Sequence, residues 1–175
     1  MFVIGHEERR TKVRSKLILR DAMPLEIERK FTVIGRPWEN RQGTYMEQGY
    51  LTQNEATVRL RITNEVAWIT IKGQAHGLTR PEYEYSIPLE DAREMLDLFC
   101  GANRIAKVRY EIEYEGHTWE VDVFEGRNEG LVIAEVEMES EDTEVILPDW
   151  VGQEVSHDPR FRNSSLLENP WPFEF

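Results

Sequence analysis

Residues 25–34 read Leu25-Glu26-Ile27-Glu28-Arg29-Lys30-Phe31-Thr32-Val33-Ile34, and the fold follows from how they alternate. Glu26, Glu28 and Lys30 fall on one side of an extended chain, and Leu25, Ile27, Phe31 and Val33 on the other. A period of two is the mark of a β-strand, because successive side chains point to opposite faces. The same alternation recurs at residues 58–62, 68–72, 82–87, 107–114, 119–124 and 131–138, with a weaker, tyrosine-rich run at 43–51. Turn-forming residues separate the runs: Thr63-Asn64-Glu65, Gly73 to Gly77, Glu115-Gly116-His117 and Gly126 to Gly130. Residues 89–100 predict a helix. Pro88 precedes it, Glu90 and Asp91 suit its first turn, and Leu89, Met95, Leu96 and Phe99 form its apolar stripe. The tail, 148–167, reads as short helical pieces. Eight mostly antiparallel strands with few helices place the chain in the mainly β class, as a sandwich or a closed barrel.

Outward from the strands, composition sets the bounds. The chain has 175 residues, enough for one domain with a sizeable core. Its net charge of -12 argues against a nucleic-acid partner, which demands a basic face. The single Cys100 excludes an intramolecular disulfide framework and suits a reducing cytoplasm. No apolar run reaches the ~18 residues of a membrane-spanning helix. Residues 1–22, with Arg9, Arg10, Lys12, Arg14, Lys16 and Arg20, read as a disordered basic extension, and residues 23–175 as the folded domain. His6, His76, His117 and His157 are scattered near loops and tails, and none reads as a metal ligand.

The informative feature is how charge is sorted. An antiparallel sheet with one wet face alternates polar and apolar residues as a matter of course, so any single Glu-x-Glu or Arg-x-Arg is ordinary. Wet strands, however, favour opposite charges. Here five strands carry like charges two residues apart: Arg59/Arg61, Glu82/Glu84, Lys107/Arg109, Glu120/Asp122 and Glu135/Glu137. Turned inward in a barrel, these residues join Glu26, Glu28, Lys30 and Lys72 in a lumen of six cations and eight anions. One divalent metal offsets that deficit of two. Arginine forks suit phosphate oxygens and carboxylate pairs suit hard cations.

The series of motifs resembles the CYTH family, the triphosphate tunnel metalloenzymes. The resemblance rests on Glu26-Ile27-Glu28-Arg29-Lys30, then Arg59/Arg61, Lys72, Glu82/Glu84, Lys107/Arg109, Glu120/Asp122 and Glu135/Glu137, in that order. Gln48-Gly49-Tyr50-Leu51 and the segment from Val155 to Ser164 are similar to small bacterial members, so the likeness runs from about Pro24 to Leu167. It implies a closed eight-stranded antiparallel tunnel, with flanking helices, that hydrolyses a triphosphate with Mg²⁺ or Mn²⁺. By position it implies that Lys30, Arg59, Arg61, Lys72, Lys107 and Arg109 hold phosphate. The implied metal set is Glu26, Glu28, Glu84, Asp122, Glu135 and Glu137, with Glu28, Lys30, Lys72 and Glu84 carrying the catalytic step. Related small proteins often form homodimers. Arg160 and Arg162 read as surface charges before mouth-capping ones.

Substrate choice is open among inorganic tripolyphosphate, ATP and thiamine triphosphate. Trp68, Trp119, Tyr83 and Tyr85 are assigned to the outer, core-facing parity, which leaves no aromatic pair to stack a ring and favours tripolyphosphate. An adenylate cyclase or a non-catalytic polyphosphate- or metal-binding barrel would use the same cations. The facing carboxylates favour the enzyme, since a pure polyanion binder gains nothing from them.

Overall fold

The computed structural model describes residues 25–173; the basic extension assigned to residues 1–22 lies outside them. Nine strands are present among the described residues: β1 (Leu25–Val33), β2 (Thr44–Gln53), β3 (Thr57–Ile62), β4 (Ala67–Lys72), β5 (Thr79–Ile87), β6 (Arg104–Tyr114), β7 (His117–Phe124), β8 (Val132–Glu137) and β9 (Val151–Glu154). The hydrogen-bonded order is β5-β4-β3-β2-β6-β7-β8-β1-β9, and a further β1–β5 pairing closes the first eight into an antiparallel barrel. The closing seam is short. Leu25, Glu26 and Ile27 pair with Pro81, Arg80 and Thr79. Beyond it, β1 leaves β5 and pairs instead with β9, Phe31 against Glu154 and Val33 against Val151. The tail was expected to hold only helical pieces. It contributes a strand because Val151–Glu154 meets the half of the β1 edge that β5 leaves open.

Tight turns hold the register. Between β6 and β7, Glu115 and Gly116 both have positive φ, 48° and 82°, and Tyr114 pairs with His117. Two left-handed residues make the twist that a two-residue hairpin needs, and glycine takes it without strain. Between β3 and β4, the Thr63 hydroxyl accepts from the backbone N–H of Val66 at 3.2 Å.

The apolar faces lie outside the barrel, with one exception. Leu60, Ile62 and Ala67 are covered by Ala92 and Leu96 of the helical segment, which consists of α1 (Leu89–Met95) and one π-helical turn (Leu96–Cys100). Gly49 lets this segment approach: a Cβ there would come within 2.6 Å of Cys100 Sγ and 2.9 Å of Leu96. The segment spans the expected residues 89–100, but Phe99, assigned to the apolar stripe, is 65% exposed. The wider π turn accounts for this, since it rotates the last residues relative to an ideal 3.6-residue repeat. A second cluster, Phe31, Ile112, Trp119, Val121, Ala134 and Val136, sits under Trp38 and Trp150.

The exception lies within the lumen. Ile105, Phe124 and Ile133 share the inward parity of Lys107, Asp122 and Glu135, and pack with Val155, Leu166, Leu167 and Phe173 of the tail, where Ser165–Glu168 forms α2. These residues plug part of the barrel interior. Burial of apolar surface, at roughly 25 cal/mol per Å², holds the tail against the barrel.

Candidate active site

The sorted charges converge. A cavity of about 280 Å³ is lined by Glu26, Glu28, Lys30, Arg59, Arg61, Lys72, Glu82, Glu84, Arg109, Glu120, Glu135 and Glu137, together with Tyr50, Arg80, Ser156 and Arg162. The strands supply nearly all of them through inward parity. The tail adds the rest and also positions Lys30: its backbone N–H donates to Ser156 Oγ at 3.0 Å, and its carbonyl accepts from Val155 N at 2.8 Å.

Three ionic groups make up the wall. In the first, Lys72 Nζ donates to both oxygens of Glu26 at 2.6 and 2.7 Å and meets Glu82 Oε2 at 2.5 Å. In the second, Glu84 accepts from Arg61 Nη2 at 2.9 Å and from Thr70 Oγ1 at 2.8 Å, with Arg59 Nη2 at 3.6 Å. In the third, Lys30 contacts Glu28 at 2.9 Å and pairs with Glu135, which also accepts from Arg109 Nη2 at 2.9 Å. Burial drags the Lys30 ammonium down, but Glu135 and Glu28 outweigh it and raise its pKa above the usual lysine range. Burial likewise disfavours the ionised Glu135, yet Lys30, Arg109 and Lys107 hold it well below the usual carboxylate range.

Two of the expected site residues do not reach the cavity. Lys107 is 1% exposed and Asp122 0%, and they pair with each other behind Arg109. Lys107 Nζ also lies 5.7 Å from the Phe124 ring centre. Burial, and then the neighbouring Arg109, lower the Lys107 pKa to about 8 despite the pairing with Asp122. The apolar plug is the cause: Ile105, two residues before Lys107 on β6, and Phe124, its register partner on β7, fill the space that parity alone leaves to charge.

Other residues were missed or misassigned from sequence. Arg80 shares the parity of Glu82 and Glu84, and donates from Nε to Glu26 at 2.6 Å and from Nη2 to Glu28 at 3.4 Å. A lone arginine ahead of Glu-x-Glu carries no like-charged partner to draw attention, but its parity was readable. Tyr50 lines the cavity and its hydroxyl accepts from Gln48 Nε2 at 3.0 Å. Arg162 lines the cavity, whereas Arg160 pairs with Asp158 at 2.7 Å and is not among the lining residues. Trp68, assigned to the outer parity, shares the inward parity of Thr70 and Lys72; the Arg61 guanidinium lies 5.2 Å from its ring centre. Trp119 is fully buried in the outer cluster, as expected.

These exchanges change the charge balance. With Arg80 and Arg162 added, and Lys107 and Asp122 withdrawn, the lining holds seven cations and seven anions. The imbalance is local. Glu137 has no ion-pair partner among the described residues, and it faces its register partner Glu28 across β1 and β8. Burial, then Glu26, Glu82 and Glu28, raise its pKa. Among the described residues no three such side chains already converge as metal ligands, because Glu26 and Glu28 are drawn to Lys72, Arg80 and Lys30. The donor chemistry nevertheless fits a hard divalent ion: all-oxygen ligands, one carboxylate without a cation, and like-charged neighbours in need of one.

A closed antiparallel barrel with a lumen of interleaved basic and acidic side chains defines a class of small-polyanion proteins. The chain belongs to the CYTH family, whose domain matches residues 24–165. It is 45% identical over 151 residues to an inorganic triphosphatase of Acetivibrio thermocellus, covering 85% of this chain and 97% of the relative. It is 37% identical over 146 residues to an inorganic triphosphatase of Nitrosomonas europaea, covering 81% and 95%. Among solved structures, the inorganic triphosphatase NE1496 superposes with a TM-score of 0.60 at 34% identity, covering 81% of this chain and 93% of that one.

Proposed function

We propose that the protein hydrolyses inorganic tripolyphosphate to orthophosphate and pyrophosphate with the help of Mg²⁺ or Mn²⁺. The observation that carries this reading is the small, two-signed cavity. Six strand-borne cations line it opposite carboxylates, and at about 280 Å³ it lies at or below the lower end of small-molecule pockets. Such a space suits a linear inorganic anion better than a whole nucleotide. Both relatives named above are inorganic triphosphatases.

Phosphoryl transfer asks the protein for positioning and charge neutralisation more than for covalent chemistry. Lys30, Arg59, Arg61, Lys72, Arg80 and Arg109 spread the substrate along the wall and offset charge on its non-bridging oxygens. Asp122, itself paired with Lys107, holds Arg109 from behind. Glu26, Glu28 and Glu137 would hold the divalent ion, with Glu84 and Glu135 beside them; bound there, it would neutralise phosphoryl oxygens and acidify water. Water oxygen bonds to the terminal phosphorus as the bridging P–O bond breaks, the electron pair leaves on pyrophosphate, and the water proton passes to solvent through the cavity carboxylates. Glu84, fixed by Arg61 and Thr70, would hold that water.

Incubation with tripolyphosphate, ATP and thiamine triphosphate in turn tests the reading. Orthophosphate released fastest from tripolyphosphate is expected. Cyclic AMP with pyrophosphate from ATP would make the protein a cyclase, and tight tripolyphosphate binding with no release in either metal would make it a binder.

A further inference from the structure

Arg80 spans the seam at which the barrel closes. It is the β5 register partner of Glu26 in a pairing only three residues long, and its fork reaches two carboxylates at once: Glu26 through Nε at 2.6 Å and Glu28 through Nη2 at 3.4 Å. Lys72 also holds Glu26, but it is buried and its second partner among the described residues is Glu82 rather than Glu28. Among the described residues, Arg80 alone bridges the pair. Its side chain is 27% exposed and stands next to the 73–78 loop, so it has room to move that Lys72 lacks.

A guanidinium bridging two carboxylates does the electrostatic work of a divalent ion on the same oxygens. It neutralises their repulsion, and it has to be displaced before a metal can use those lone pairs. We infer that Arg80 is a built-in counter-ion that competes with the divalent cation for Glu26 and Glu28, and so weakens metal binding until a polyphosphate draws its fork away. This inference rests on the divalent-cation reading proposed above. Substrate oxygens are the natural alternative partner for the fork, because planar bidentate donors match phosphate as well as carboxylate. Metal and substrate affinities then become linked through one side chain: the anion frees the carboxylates, and the metal frees the arginine. Linkage of this kind is reciprocal. Arg80 is on this account a positioning residue that sets the order in which the site fills.

Mn²⁺ titration of the substrate-free protein, read as loss of the free-ion electron paramagnetic resonance signal, tests this without turnover. Wild type, Arg80→Gln, Arg80→Lys and Glu137→Gln are compared, with circular dichroism to establish folding. Arg80→Gln is expected to bind Mn²⁺ roughly tenfold more tightly than wild type, a change of about 1.4 kcal/mol. Arg80→Lys, which keeps the charge but loses the fork, should lie between them. Folded Arg80→Gln and Arg80→Lys proteins with Mn²⁺ affinity equal to or weaker than wild type overturn the inference. If Arg80→Gln does not fold, the lysine variant decides alone: tighter binding supports the counter-ion role, and unchanged or weaker binding refutes it. Failure of the underlying reading looks different, since wild type, Arg80→Gln and Glu137→Gln would then all leave the Mn²⁺ signal untouched.

Discussion

Arg109 grips Asp122 along one full edge of its guanidinium, Nε to Oδ1 and Nη2 to Oδ2, each at 2.7 Å. The same Nη2 reaches Glu135 at 2.9 Å, and Nη1 pairs with Glu120. Asp122 is wholly buried, so this arginine is aimed into the cavity by a carboxylate that substrate never touches. Removing one partner of a buried pair leaves an uncompensated charge, at a cost of about 3–5 kcal/mol. Asp122→Asn should therefore lower the midpoint of chemical denaturation and, in the protein that remains folded, reduce kcat/KM for tripolyphosphate by on the order of tenfold or more. Unchanged kinetics in a folded Asp122→Asn protein would remove Asp122 from the account.

Lys107 gives a pH prediction whose sign is fixed. Its pKa falls from the ordinary lysine value of 10.5 to about 8 in the folded protein. Between those values the unfolded chain holds the proton and the folded chain does not, so stability contributed by this group rises with pH across that window. Relative to Lys107→Met, wild type should gain stability between pH 8 and 10.5, by ~1–3 kcal/mol. Melting temperatures of the two proteins across that range check it; a constant difference would mean Lys107 stays charged.

On the acid side, burial and then Glu26, Glu82 and Glu28 raise the pKa of Glu137. As pH falls, Glu137 takes up its proton before an ordinary carboxylate would, which on the proposed divalent-ion reading would release Mn²⁺. Mn²⁺ affinity measured against pH should weaken earlier in wild type than in a simple carboxylate chelator, and Glu137→Gln should flatten that early limb.

The strand alternation made the barrel legible, because only one closure turns Arg59, Arg61, Lys72 and the acidic pairs to a common interior. What escaped it depended on tertiary filling. Lys107 and Asp122 have the right parity, yet Ile105, Phe124 and Ile133 have it too, and the tail packs on these and seals the two charges behind Arg109. Parity tells inside from outside; it does not tell depth. Trp68 was readable, since it lies two and four residues from Thr70 and Lys72, and was placed on the wrong face. The β9 strand is four residues long, and its existence depends on an open edge of β1 that no local pattern announces.

Trp68 supplies a further expectation. Its ring lies 5.2 Å from the Arg61 guanidinium, across a β3–β4 register pair. A partly buried cation–π contact of this kind contributes about 0.5–1 kcal/mol. Trp68→Ala should thus raise KM for tripolyphosphate about two- to fivefold with little change in kcat. A fall confined to kcat would contradict a positioning role through Arg61.

Steady-state phosphate release from tripolyphosphate, with Mg²⁺ or Mn²⁺ and again after chelation, in wild type and Glu28→Gln, tests the enclosed-lumen account most directly. The account predicts one orthophosphate and one pyrophosphate per substrate, abolished by chelation and by the substitution. Turnover that persists at the wild-type rate under chelation, or in Glu28→Gln, would contradict it.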